Sequence, residues 1–173
     1  MPDNIQIIVT GGKKNLKIKL EAVRRLPDFE EVFAVGIIQD SDDNYASTME
    51  SIYNCLVNLG FNPLKQQGVF SNQYPATGIF IMPGEGENGA LEDLCLQAVE
   101  FDPVMSCVKD FIDCIIENDP KVSKISKRYC AAYIIGKKDL VQSVGLAAHK
   151  KYWNFSSPVY SNLKDFVLKL SQQ

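Results

Sequence analysis

A chain of 173 residues and 19.3 kDa, 46% hydrophobic and 23% charged, has the size of one globular domain with a core of its own; disorder, a coiled coil and a two-domain enzyme are not expected. The longest apolar run, Val32 to Ile38 with Gly36 inside it, is seven residues against the roughly 20 needed to cross a bilayer, and the first twenty residues have no signal-peptide pattern, so a cytoplasmic protein without membrane contact is expected. The net charge of −3 conceals a strong segregation: residues 1–27 carry +4, residues 28–119 carry −15 and residues 120–173 carry +8.

In chain order, Ile5 to Val9 reads as a strand running into the turn Gly11-Gly12. Leu16, Leu20, Val23 and Leu26 then recur at helical spacing until Pro27 and Asp28 interrupt them. Glu31 to Ile38 is an apolar run without alternation, as expected of a strand covered on both faces, and it ends at Gln39-Asp40. Met49, Ile52, Tyr53, Leu56 and Leu59 form a helical stripe over Ala46 to Leu59, closed by Gly60. Asn62 to Thr77 shows no pattern and is expected to be a loop or irregular hairpin, and Gly78 to Met82 is a second buried strand. Ala90 to Val99 and Val104 to Asn118 read as helices, Tyr129 to Ile135 as a further strand, and Leu163, Phe166, Val167 and Leu170 as a terminal helix. Strands alternating with helices predict an α/β fold over 1–173: a mostly parallel sheet with helices on both faces, in three layers.

Ligands of open α/β sheets bind at the carboxyl ends of the strands, which singles out three loops. In Thr10-Gly11-Gly12-Lys13-Lys14 the glycines allow close backbone approach and the two lysines can meet phosphate, although an ordinary glycine turn explains the pair as well. In Asp40-Ser41-Asp42-Asp43-Asn44 three carboxylates repel one another, and their convergence is best compensated by an oxygen-liganded cation, Mg²⁺ or Mn²⁺, with Asp40 and Asp42 as ligands. Capping of the following helix accounts for one of these polar residues but not for Asp40 at a strand tip. The third loop, Gly84-Glu85-Gly86-Glu87-Asn88-Gly89, spells the dinucleotide fingerprint, yet Glu85 and Glu87 would repel a pyrophosphate and no acid-tipped strand follows at the proper distance. Glu92 and Asp93, just beyond it, are a second carboxylate pair that could reach the metal or simply complement a helix dipole.

The five cysteines, without any Cys-x-x-Cys pair, read as reduced core thiols, and a single histidine, His149, argues against zinc. Lys150 and Lys151 lie beside Tyr152, Trp153 and Phe155, where they can touch phosphate while an aromatic stacks on a base, or where the aromatics close a core.

Taken together, Gly11-Gly12, Val35 to Asp42, Gly78 to Pro83 with Leu91-Glu92-Asp93-Leu94, and Lys150 to Phe155 resemble an uncharacterised toprim-like family, related to the toprim domains of topoisomerases, primases and overcoming-lysogenization-defect nucleases. The resemblance covers nearly the whole chain. It implies Mg²⁺- or Mn²⁺-dependent phosphoryl transfer or phosphodiester hydrolysis on nucleic acid, with Asp40, Asp42, Glu92 and Asp93 at the metal, Glu92 and Lys150 catalytic, and Gly11, Gly12, Lys13, Lys14, Lys150 and Lys151 on phosphate. Toprim domains carry their catalytic glutamate after an initial strand. This chain starts at what should be the second strand, so a late start, a partner-supplied strand or a non-catalytic metal- or nucleic-acid-binding module is expected, together with self-association through the exposed sheet.

Overall fold

The computed structural model describes residues 4–172. The chain divides into two compact units, one formed by the residues up to Ala90 together with those from Asn162 onward, the other by Leu91–Ser161.

The first unit is built on two parallel strands, β1 (Ala34–Asp40) and β2 (Ala76–Met82), paired in register from Ala34 opposite Ala76 to Asp40 opposite Met82. Two parallel strands need a crossover, and α2 (Tyr45–Asn58) supplies it. The sheet is therefore parallel, with helices on both faces. On one face Ile37, Ile79 and Ile81 pack with Leu16 and Leu20 of α1 (Leu16–Arg24) and with Met49, Ile52 and Leu56 of α2. On the other, Ala34, Ala76, Phe80 and Met82 meet Phe70 and the residues Leu163, Phe166 and Leu170 of α7 (Ser161–Leu170). Alternate residues of β2 thus serve opposite cores, which is why its sequence shows no polar phase. Gly78 is required by this packing: a Cβ there would come within 2.8 Å of the Phe70 ring and 2.9 Å of Phe166, whose rings stack 4.9 Å apart.

The segment expected to be a loop or irregular hairpin covers the outer edge of β2, and its last two residues, Ala76 and Thr77, already belong to that strand. Gly68 N–H donates to Ile79 C=O, Ser71 N–H to Thr77 C=O, and the Gln67 amide both donates to Ile81 C=O and accepts from Ile81 N–H. The strand expected over Ile5 to Val9 is not formed. Strand composition alone does not make a strand: the segment has no ladder partner, and Ile7 and Val9 stay exposed.

The second unit is helical: α3 (Leu91–Ala98), α4 (Val104–Asn118), α5 (Ile125–Ile135) and α6 (Val144–His149). The strand expected over Tyr129 to Ile135 belongs to α5. Its β-like composition is overridden by spacing, since Cys130, Tyr133 and Ile134 fall at i, i+3 and i+4 and are all buried. Trp153 is buried, stacks 5.3 Å from Tyr133 and donates its indole N–H to Val144 C=O, so it closes this core with Tyr152 packed against it, while Phe155 stays exposed. Of the five cysteines only Cys95 and Cys130 are core thiols; Cys55 is half-buried, and Cys107 and Cys114, on the outward face of α4, are exposed. No helix among the described residues is long and apolar enough to cross a membrane.

Candidate functional site

β1 ends at Asp40, and the next residue organises the loops around it. Ser41 is buried; its hydroxyl accepts from Gly89 N–H at 2.8 Å and lies 2.9 Å from Glu87 C=O and 3.1 Å from Gly89 C=O. Asp42 N–H donates to Gly89 C=O at 2.7 Å, and the Asn88 side chain accepts from Tyr45 N–H. The loop after β2 is thereby sewn to the loop after β1, which rules the former out as a free phosphate cradle. Asn44 caps α2 by accepting from Ser47 N–H, so capping falls to Asn44 rather than to an acid.

Asp42 has a left-handed backbone, φ 53°, a conformation that aspartate tolerates better than most residues, and this turns its carboxylate toward the Gly11-Gly12 loop. There the Lys13 ammonium lies 2.7 Å from Asp42 Oδ2 and also donates to Ser41 C=O and the Thr48 hydroxyl, each at 3.3 Å. The Thr48 hydroxyl in turn donates to Ser41 C=O. The charge compensation that the sequence assigned to a metal is supplied to Asp42 by a lysine 29 positions earlier. A cavity of about 550 Å³ opens beside this pair, lined among others by Gly11, Gly12, Lys13, Asp40, Asp42 and Met82. Beside the neighbouring loop, burial and the Glu85 carboxylate hold the Tyr45 phenol above its usual pKa.

Of the expected site residues, Gly11, Gly12, Lys13, Asp40 and Asp42 are brought together at this strand tip. Lys14 lies in the 3-10 turn Lys13–Asn15 that leads into α1 and borders a different cleft. The remaining ones belong to the second unit. Glu92 pairs with Lys127 at 3.7 Å, Asp93 accepts from Ser126, Lys150 pairs with Asp139 at 3.1 Å, and Lys151 is exposed in the turn after α6. Among the described residues no three His, Cys, Asp or Glu side chains gather so as to hold a metal ion. Asp42 is bound to the Lys13 ammonium, so a divalent cation at this tip would have to displace that lysine first.

Sequence reading missed Ser41 and Thr48, whose hydroxyls hold the site together. Only burial reveals them; their one advance signal is position, immediately after a strand and four residues into a capped helix.

The fold and this tip define an α/β protein with a lysine–carboxylate site at the carboxyl ends of parallel strands. The chain belongs to the DUF3226 family, described as a protein of unknown function, whose model matches residues 1–172. No curated protein and no solved structure matches it.

Proposed function

We propose that this protein is a toprim-like, non-catalytic module that binds nucleic-acid phosphate at the tip of β1. The observation that carries the reading is the Lys13–Asp42 pair beside an open cavity walled by the Gly11-Gly12 backbone. An ammonium held by one carboxylate can pass to an incoming phosphate, while the positive-φ glycines leave the backbone approachable. The acid then acts as a gate on the lysine.

This makes two substitutions opposite in sign. Asp42→Asn keeps the left-handed turn, removes a repelling charge and releases Lys13, so affinity for a labelled single-stranded oligonucleotide should rise severalfold in fluorescence anisotropy. Lys13→Ala should weaken binding and reduce the slope of log K against log salt by about 1. Equal affinity for both variants and the parent chain would sink the reading.

A second reading, Mg²⁺- or Mn²⁺-dependent phosphoryl transfer, is favoured by the presence of Asp40 and Asp42 at one strand tip. It requires Lys13 to release Asp42. Calorimetric titration with Mn²⁺ tests it: heat that disappears in Asp40→Ala/Asp42→Ala supports metal binding, and unchanged heat removes it.

A further inference from the structure

Among the described residues the sheet has two strands, and its two edges are treated differently. The outer edge of β2 is covered by residues 67–71, whereas the outer edge of β1 has no ladder partner and Ile38 on that strand is 44% exposed. An open strand edge is a template for pairing. We propose that residues 5–9 are a strap that adds to this edge as a third, parallel strand and in doing so shuts the strand-tip cavity.

Four observations support the strap. The first is where its ends are held. At one end the Asn4 side-chain amide donates to Ser171 C=O at 3.0 Å, just beyond Leu170 of α7, whose Cδ2 lies 3.2 Å from where a Cβ on Gly36 would stand. At the other end Gly11 and Gly12 reach the tip of β1, where Lys13 binds Asp42. The segment therefore runs from the level of Gly36 toward the carboxyl end of β1, the direction that a parallel strand requires. The second is proximity without pairing. Residues 8–10 line the cavity together with residues 36–40, yet no bridge joins the two stretches, and the N–H groups of residues 5–9 donate to nothing among the described residues.

The third is composition. Ile5-Gln6-Ile7-Ile8-Val9 suits a strand, and Ile7 and Val9 are 66% and 79% exposed, so closure buries apolar surface that the open form leaves in water. The fourth is topology. A parallel strand ahead of β1 needs a crossover, and α1 lies in that connection. Right-handed crossovers that step the same way across a sheet put their helices on one face. α1 and α2 do share a face, over Ile37, Ile79 and Ile81, as the order strap, β1, β2 demands. Gly11 and Gly12, with φ 73° and 124°, supply the hinge.

Paired strands lie about 4.8 Å apart, which leaves no room for a ligand between them. A closed strap and a filled cavity therefore exclude one another. This competition rests on the phosphate-binding reading of the tip; the third strand does not.

The test is a cysteine pair, Ile8→Cys/Ile38→Cys, at two exposed positions that line the cavity, in a Cys55→Ser/Cys107→Ser/Cys114→Ser background. Under oxidised glutathione the pair should close within one chain, seen as a faster-migrating monomer on a non-reducing gel. The closed chain should bind the labelled single-stranded oligonucleotide at least tenfold more weakly until it is reduced. In the parent, amide exchange at residues 6–9 should be at least tenfold slower than in a free peptide of that sequence, and saturating oligonucleotide should erase the protection. Ile8→Pro removes an N–H and bars the ladder. It should abolish the same protection and tighten oligonucleotide binding by the same factor, because apparent affinity scales with the open fraction. The proposal falls if the pair joins two chains instead of closing within one, which would make a second copy the occupant. It falls equally if residues 6–9 exchange like the free peptide, or if the closed chain binds oligonucleotide as well as the open one. Protection and closure within one chain that binds no oligonucleotide would uphold the third strand and discard only the phosphate reading.

Discussion

The two units set their paired lysines in different surroundings. In the helical unit three lysines meet acids of the same unit: Lys127 meets Glu92, Lys150 meets Asp139, and Lys137 meets Asp102, whose carboxylate also accepts from Tyr133 and from Val104 N–H at the start of α4. In the sheet unit Lys13 is shared between a carboxylate, a carbonyl and a hydroxyl beside an open cavity, and Lys14 is left without a partner among the described residues. A lysine count therefore says little about ligands. What matters is which cations the fold leaves uncompensated next to a concavity, and by that measure Gly11 to Lys17 outranks the more basic C-terminal segment.

The contrast can be attacked first through the cores. Phe166→Ala removes a ring that is 1% exposed and stacked between Phe70 and the glycines of the sheet, and should cost about 3–5 kcal/mol in urea denaturation. A loss under 1 kcal/mol would mean that α7 does not hold the sheet.

Next in size is the charge cluster of the helical unit. Burial works against ionised Asp102, but Lys137, Val104 N–H and Tyr133 together bring its pKa below the usual carboxylate value. The stabilisation is present above the ordinary aspartate range and is lost as pH falls through the lowered folded-state value. Burial likewise opposes charged Lys137, while Asp102 and Tyr133 raise its pKa, so that contribution persists below the ordinary lysine range and is lost as pH climbs through the raised value. Asp102→Asn should cost about 1–3 kcal/mol at neutral pH and flatten the acid limb of a stability–pH profile. An unchanged acid limb would show that the cluster is not a structural sink for charge.

Ser41→Ala, in the sheet unit, leaves Gly89 N–H without its acceptor and should cost about 1–2 kcal/mol, with faster amide exchange across Glu87 to Gly89. Retained protection there would detach the β2 loop from the proposed tip. The smallest effect is expected at Tyr160, which is buried with its hydroxyl unpaired beside the Cys95 thiol. Tyr160→Phe should change stability by less than about 0.5 kcal/mol. In a thiol-labelling time course Cys107 and Cys114 should react first, and Cys95, whose pKa burial pushes up to about 11, should be among the last.

Much of the sheet unit was legible in advance. The buried strands, the α2 stripe ended by Gly60 and the terminal helix leave periodic apolar patterns because each buries a face against a neighbour close in kind. Tyr129 to Ile135 misled because tyrosine and isoleucine suit either conformation, and only the burial of Cys130, Tyr133 and Ile134 together selects the helix. Ile5 to Val9 misled for the converse reason: a strand exists only with a partner, and no partner is encoded within the segment.

At the site, local sequence was enough to mark Gly11-Gly12, Lys13 and Asp40 to Asp42 as the residues at strand ends, because the position of a strand tip follows from where an apolar run stops. It could not say that Lys13 would neutralise Asp42 or that Ser41 would stitch two loops together. Those outcomes are set by groups 28 to 48 residues apart along the chain, and a contact at such a separation leaves no period in the sequence; only the packed chain brings the partners within reach.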